Sequence, residues 1–272
     1  MSRLLRSMRL ALVFASVVAL APGAQTVRAA DAVPASKPPL LPGPIVEDET
    51  GFTPIFDGRS LHGWDGDPRL WRVENGEIVG EFTEQTAQKE ESFLIWRGGE
   101  PEDFELKADY LVSDLGNSGF EYRSRQTEGP KWDLDGGYQL DIDGRQWGDR
   151  FNQRMMQKNG INCPRITGMN VGQVAFALPG QISRLSEHQE RHVFASFGTC
   201  AAVTQSLNDG WNSAHLIIRG GWMIHIVNGQ VMSIVIDDDP ARIKRGLLGL
   251  QLHGGGPMKV EFRNVRIKSL NP

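Results

Sequence analysis

Long hydrophobic runs are missing from this 272-residue chain: the N-terminal apolar run Leu10–Ala21 stops at about 12 residues, short of the ~20 that a membrane-spanning helix needs. A dominant charge sign is missing too. Lys+Arg number 29 against Asp+Glu 33, a net charge of −4, and the basic residues are scattered, so no nucleic-acid footprint forms. Cysteine is scarce, with only Cys163 and Cys200; neither lies near the N-terminus, which excludes lipid attachment through a cysteine there. No internal repeat of fixed period stands out. Several catalytic signatures are also absent. No G-x-S-x-G elbow exists to accompany His253-Gly254-Gly255-Gly256, and His188 and His192 fit neither zincin order because Glu190 lies midway between them.

What is present is turn chemistry. Thirty-one glycines and 15 prolines punctuate a chain that is 40% hydrophobic and 23% charged, an ordinary globular composition that favours many short strands. Arg3, Arg6 and Arg9 followed by Leu10–Ala21 and small residues read as a secretory signal over residues 1–30. Residues 31–48, with Pro34, Pro38, Pro39, Pro42 and Pro44, read as a semi-rigid tether. The expectation is an exported, periplasmic or secreted protein with no membrane span after signal cleavage. In that compartment Cys163 and Cys200 are free to pair, and one folded domain remains over residues 49–272.

Within that domain the hydrophobic period is two. Phe104, Leu106, Ala108 and Tyr110 alternate with polar residues, as do Phe120 and Tyr122, Tyr138, Leu140 and Ile142, and Trp222, Ile224 and Ile226. Asn228-Gly229 supplies a type I′ hairpin turn, and the run Val260, Phe262, Val265, Ile267 implies a bulge near Asn264. The pattern predicts an all-β, two-sheet antiparallel sandwich. Residues 147–206, rich in Met, Asn, Arg and His, read as loops or short helices over one face.

Alternation also sorts the chemistry by face. Opposite the apolar positions stand Glu121 and Arg123 on one strand, Gln139 and Asp141 on the next, and Gln251 and His253 on a late strand. Gln-x-Asp, Glu-x-Arg and Gln-x-His are hydrogen-bonding sets suited to sugar hydroxyls, and Trp64, Trp71, Trp132, Trp147 and Trp211 offer faces for stacking on sugar rings. Of these, Trp71 and Trp211 have apolar neighbours and read as core. Asp133-x-Asp135-Gly136 and Asp141-x-Asp143-Gly144 are fragments of calcium loops that do not complete an EF-hand. A divalent ion, calcium or manganese, held by some of these oxygens is left open.

Blocks across residues 51–270 carry a family resemblance. Gly51-Phe52-Thr53-Pro54-Ile55-Phe56-Asp57-Gly58 with Leu61-His62-Gly63-Trp64 resembles the opening of the 3-keto-disaccharide hydrolase-like family. Trp71-Arg72-Val73-Glu74-Asn75-Gly76-Glu77-Ile78, Gly116-Asn117-Ser118-Gly119-Phe120-Glu121-Tyr122-Arg123, Gly136-Gly137-Tyr138-Gln139-Leu140-Asp141-Ile142 and Leu250-Gln251-Leu252-His253 are similar to later blocks, in family order. The resemblance implies a concanavalin- or laminarinase-like jelly roll acting on a small carbohydrate, a 3-keto glycoside. Its departure lies at Phe151-Asn152-Gln153-Arg154, where a Tyr-Glu-Glu-Arg-like run is expected and two carboxylates are amides instead.

A ketone at sugar carbon 3 acidifies the hydrogen on carbon 2, so such a site needs a base, a stabiliser for the enolate oxygen and a proton donor for the leaving group. The candidates are Asp141 or Glu121 as base, His253 as proton donor or second base, and Arg123 or a cation at the enolate. Gln139, Asn117, Gln251 and Arg154 would bind substrate. Two other readings stand beside this one: a two-carboxylate glycosidase using Glu121 and Asp141, and a non-catalytic sugar-binding module.

Overall fold

Alternating burial along successive strands builds two facing sheets in the computed structural model, which describes residues 48–270 apart from 130, 147–162, 164 and 173–174. The expected signal, the expected tether up to residue 47, Trp147 and the Phe151–Arg154 run therefore lie outside the described residues. In chain order the strands are β1 Thr53–Pro54, β2 Trp64–Asp65, β3 Trp71–Glu74, β4 Glu77–Phe82, β5 Ser92–Trp96 and β6 Phe104–Val112. They continue with β7 Asn117–Gln126, β8 Leu134–Asp135, β9 Tyr138–Asp143, β10 Asn170–Val171, β11 Ala175–Ala177 and β12 Gln181–Leu185. The last six are β13 Arg191–Ser196, β14 Asn212–Arg219, β15 Trp222–Val227, β16 Gln230–Asp237, β17 Leu247–Leu252 and β18 Met258–Ser269. Of the stretch expected to be loops and short helices, the described part does carry a one-turn helix, Cys200–Val203, but it also forms β10 to β13.

One sheet runs β13-β12-β16-β15-β14-β6-β18-β4-β3 with β1 beside β18; the other runs β11-β10-β9-β7-β17-β5-β2 with β8 beside β7. All described pairings are antiparallel except β12 with β16. The architecture is thus the all-β sandwich of a jelly roll. Phe104, Leu106, Tyr110, Leu216 and Phe262 of the first sheet meet Phe120, Tyr122, Leu140, Ile142 and Leu250 of the second in one core. Edge-to-face ring pairs such as Phe120 with Phe262, 5.3 Å between centroids, fix their packing.

The turn signals behave as their chemistry requires. Asn228 and Gly229 have φ of 51° and 74°, the two positive values of a type I′ turn joining β15 to β16. Asn264 has φ of 53° where the β18–β6 register shifts between Arg263 and Arg266, so the expected bulge is present. Cys163 and Cys200 are disulfide-bonded, with Cα atoms 5.1 Å apart. Trp71 is core at 2% exposure. Trp211 is not: it is half-buried under the Arg263 guanidinium, 3.9 Å from its ring centroid. Trp64 is buried and donates its indole N–H to the Ile55 carbonyl at 2.7 Å, so it offers no stacking face.

Candidate functional site

The polar residues of β7, β9 and β17 fall on the outer face of the second sheet because their neighbours fill the core. Register then brings them together. Gly119 pairs with Asp141 and Glu121 with Gln139 across β7 and β9, and Gly249 pairs with Glu121 across β17 and β7. The result is a cavity of about 360 Å³ whose lining includes Asn117, Glu121, Gln139, Asp141, Gln251 and His253. Glu91, Phe93, Leu134 and the segment containing Ile166, Met169 and Gly172 complete the walls. Its size lies within the ~300–1,000 Å³ of small-molecule sites.

Close backbone approach makes room for Gln139. A Cβ on Gly119 would lie 2.4 Å from the Gln139 Cδ, so the amide lies flat across a position that only glycine leaves open. The Asn117 Nδ2 donates to Asp141 Oδ1 at 2.8 Å, and the Ser124 hydroxyl donates to Glu121 Oε1 at 2.6 Å. Burial nonetheless dominates. It raises both carboxyls well above their ordinary values, with Glu91 adding like-charge repulsion to each. Asp135 adds to the repulsion on Glu121 and Asp143 to that on Asp141. The Asp143 charge is itself answered by the Ile166 and Thr167 backbone N–H groups, the Thr167 hydroxyl and Arg165, which fastens the cavity wall to β9.

His253 Nδ1 lies 2.7 Å from the Gly254 carbonyl. A carbonyl only accepts, so Nδ1 carries the proton, and Nε2 faces Glu91 Oε1 at 3.8 Å. The other oxygen of Glu91 accepts from Gln251 Nε2 at 2.8 Å. Glu91 is the cavity residue that sequence reasoning passed over. Its signal was register: Leu252 pairs with Ser92, so one step on, His253 stands opposite Glu91.

Arg123 does not reach the cavity. The β17–β7 register slips between Leu247 and Gly249, and Arg123 has φ of 55°. That bulge breaks the alternation, turning Ser124 toward Glu121 and the arginine to the other side. Fully buried, its guanidinium donates to the Glu102 carbonyl at 2.6 and 3.1 Å and to the Gly220 carbonyl at 2.9 Å, with Asp103 Oδ1 at 3.3 Å. It therefore ties the two sheets together at one end. Arg154 lies outside the described residues, so no arginine or lysine among the described residues lines the cavity.

Among the described residues no group of three or more His, Cys, Asp or Glu side chains is arranged to hold a metal ion. Asp135 instead accepts from the Gly136 N–H at 2.7 Å as a turn residue. Nor is any described helix long and apolar enough to cross a membrane.

Residues 51–268 match the family model described as the 3-keto-alpha-glucoside-1,2-lyase-like domain. No curated protein matches the sequence. Among solved structures, a candidate glycosyl hydrolase of Parabacteroides distasonis ATCC 8503 aligns at 20% identity and a TM-score of 0.50, over 81% of this chain and 94% of its own. A second one from the same organism aligns at 18% identity and 0.51, over 80% and 99%. At such identities the likeness is one of fold.

Proposed function

The chain belongs to the 3-keto-alpha-glucoside-1,2-lyase-like domain family, and from that premise we propose that its cavity cleaves the glycosidic bond of 3-keto glycosides. What supports the reading is the gathering of two carboxyls with raised proton affinity, an imidazole and three amides in one small cavity. Asp141 takes the proton from carbon 2, and the C–H electron pair becomes the enolate of the carbon 3 ketone. Glu121, set among Glu91 and Asp135, keeps its proton and donates a hydrogen bond to the enolate oxygen, a role open to a carboxyl held neutral by burial. The amides of Asn117 and Gln139 supply further donors. As the ketone re-forms, the bond from carbon 1 to the glycosidic oxygen breaks, leaving a double bond between carbons 1 and 2. The departing oxygen takes a proton from His253, whose Nε2 stands 3.8 Å from Glu91 Oε1. Water adding across the double bond completes a hydrolysis.

The test is to incubate the protein with a 3-keto glucoside and its unoxidised parent, with chelator and with added calcium or manganese. Cleavage of the oxidised compound alone is expected. Asp141→Asn and His253→Ala should each reduce it by ~10²–10⁴ with the unfolding transition retained. Cleavage of the parent compound would favour a two-carboxylate glycosidase, and saturable binding without product a sugar-binding module. The reading extends to an exported enzyme. The Arg3, Arg6, Arg9 and Leu10–Ala21 pattern supports export, as does the Cys163–Cys200 bond, since disulfides persist in oxidising compartments.

A further inference from the structure

Beside the cavity lies a second one of about 310 Å³, and Glu91 lines both. Its other walls include Trp132, Lys131, Gln88 and the Asp67–Arg69 pair. The two cavities share a framework. The Phe93 N–H donates to the Trp132 carbonyl at 2.8 Å, and the Gly255 N–H donates to the Gln88 carbonyl at 2.8 Å. The strand that follows Glu91 and the segment following His253 are thereby fixed against the walls of the second cavity.

Trp132 is half-buried and its ring is anchored at one edge. The indole N–H donates to Asp65 Oδ1 at 2.8 Å, while Arg97 holds the other oxygen of Asp65 at 2.8 Å. The Lys131 ammonium lies 4.5 Å from the ring centroid, over its face. That lysine is exposed, and a lysine's four-carbon stem can swing aside, so a group from solution can take its place on the ring. A rigid indole face rimmed by carboxylates, an amide and a guanidinium suits a sugar ring. The ring's C–H face lies on the indole, and its hydroxyls meet the rim.

We propose that this second cavity is the subsite for the leaving group, taking an unoxidised sugar ring while the 3-keto ring occupies the first. The inference rests on the cleavage reading above. Glu91 and His253 stand at the junction, where the glycosidic oxygen of a disaccharide spanning both cavities would lie. The second cavity sets Arg69 and Lys131 against Asp67, Glu90 and Glu91, two cations to three carboxylates, which favours a neutral sugar over an anionic one.

The experiment compares wild type with Trp132→Ala and Trp132→Phe on maltose oxidised at carbon 3 of its α-linked ring and on methyl 3-keto-α-glucoside, which has no second ring. Trp132→Ala should lower kcat/KM about tenfold on the disaccharide, leave the methyl glycoside within about twofold, and be partly rescued by Trp132→Phe. Equal losses on both substrates, or none on the disaccharide, would overturn the proposal. Calorimetric titration with unoxidised maltose and methyl α-glucoside reads the subsite without turnover: wild type should favour maltose and Trp132→Ala should lose that preference. If neither oxidised substrate is cleaved but the preference is seen, the cleavage reading fails and the sugar subsite stands. An absent preference in wild type refutes the subsite.

Discussion

Arg123→Ala separates a structural from a catalytic arginine. The side chain is fully buried and makes its hydrogen bonds to the Glu102 and Gly220 carbonyls and to Asp103. Removing it leaves two carbonyls without that partner, at about 1–3 kcal/mol each, and opens a cavity where the chain of methylenes lay. Against this, the guanidinium no longer has to be desolvated, the cause that lowers its proton affinity in the fold. Alanine keeps the same left-handed backbone strain at φ 55°, so that cost cancels. The net loss should be about 3–5 kcal/mol, as for breaking other buried charge pairs. With a urea slope of ~2–3 kcal/mol/M the unfolding midpoint falls by about 1–2 M at unchanged slope. At temperatures where the variant stays folded, turnover of a 3-keto glucoside should be within about threefold of wild type. An unmoved midpoint, or a hundredfold loss of turnover in a folded variant, would refute the placement of Arg123 as an inter-sheet tie.

Asp141→Asn should stabilise the fold at neutral pH. Burial raises the folded-state affinity of this carboxyl for its proton, so the unfolded chain ionises first, from about pH 4. Wild-type stability therefore declines as pH rises from there until the folded form also ionises. The asparagine variant escapes that decline: urea midpoints should favour it at pH 7 and converge with wild type near pH 4, and the opposite trend would contradict the burial of Asp141. Gly119→Ala should displace the Gln139 amide that its Cβ would meet at 2.4 Å, costing about 1–3 kcal/mol and raising KM more than it lowers kcat. An unchanged KM would mean that Gln139 does not touch substrate. Replacing Cys163 and Cys200 with alanine opens a loop with a sequence separation of 37 and should cost about 4 kcal/mol by the chain-entropy relation. Calorimetry with and without reductant checks this, and an unaltered melting temperature would count against it.

The sandwich was legible because its strands bury one face each, and a period of two survives any detail of topology. The cavity was legible for the same reason: Glu121, Gln139, Asp141 and Gln251 lie opposite core residues on strands that neighbour one another. Arg123 was misplaced because a bulge shifts parity without an obvious sequence mark; a left-handed arginine carries no signal comparable to Asn-Gly. Phe93 and Ile95 broke the simple alternation of β5 because Leu134 and Leu247 cover its outer face, which only tertiary structure reveals. Glu91 was missed since Glu90-Glu91 reads as solvated charge until pairing sets it across from His253. The parallel pairing of β12 with β16 links segments some fifty residues apart and has no local signature.

Whether cleavage begins with loss of the proton on carbon 2 is read by isotopic labelling at that carbon. A 3-keto glucoside deuterated at carbon 2 is turned over in ordinary water, and the released sugar is read by mass spectrometry. The deuterium should be gone from the product and cleavage slowed severalfold by the label, with Asp141→Asn releasing almost none. Product that retains its deuterium would mean that the bond breaks without removal of the carbon 2 proton.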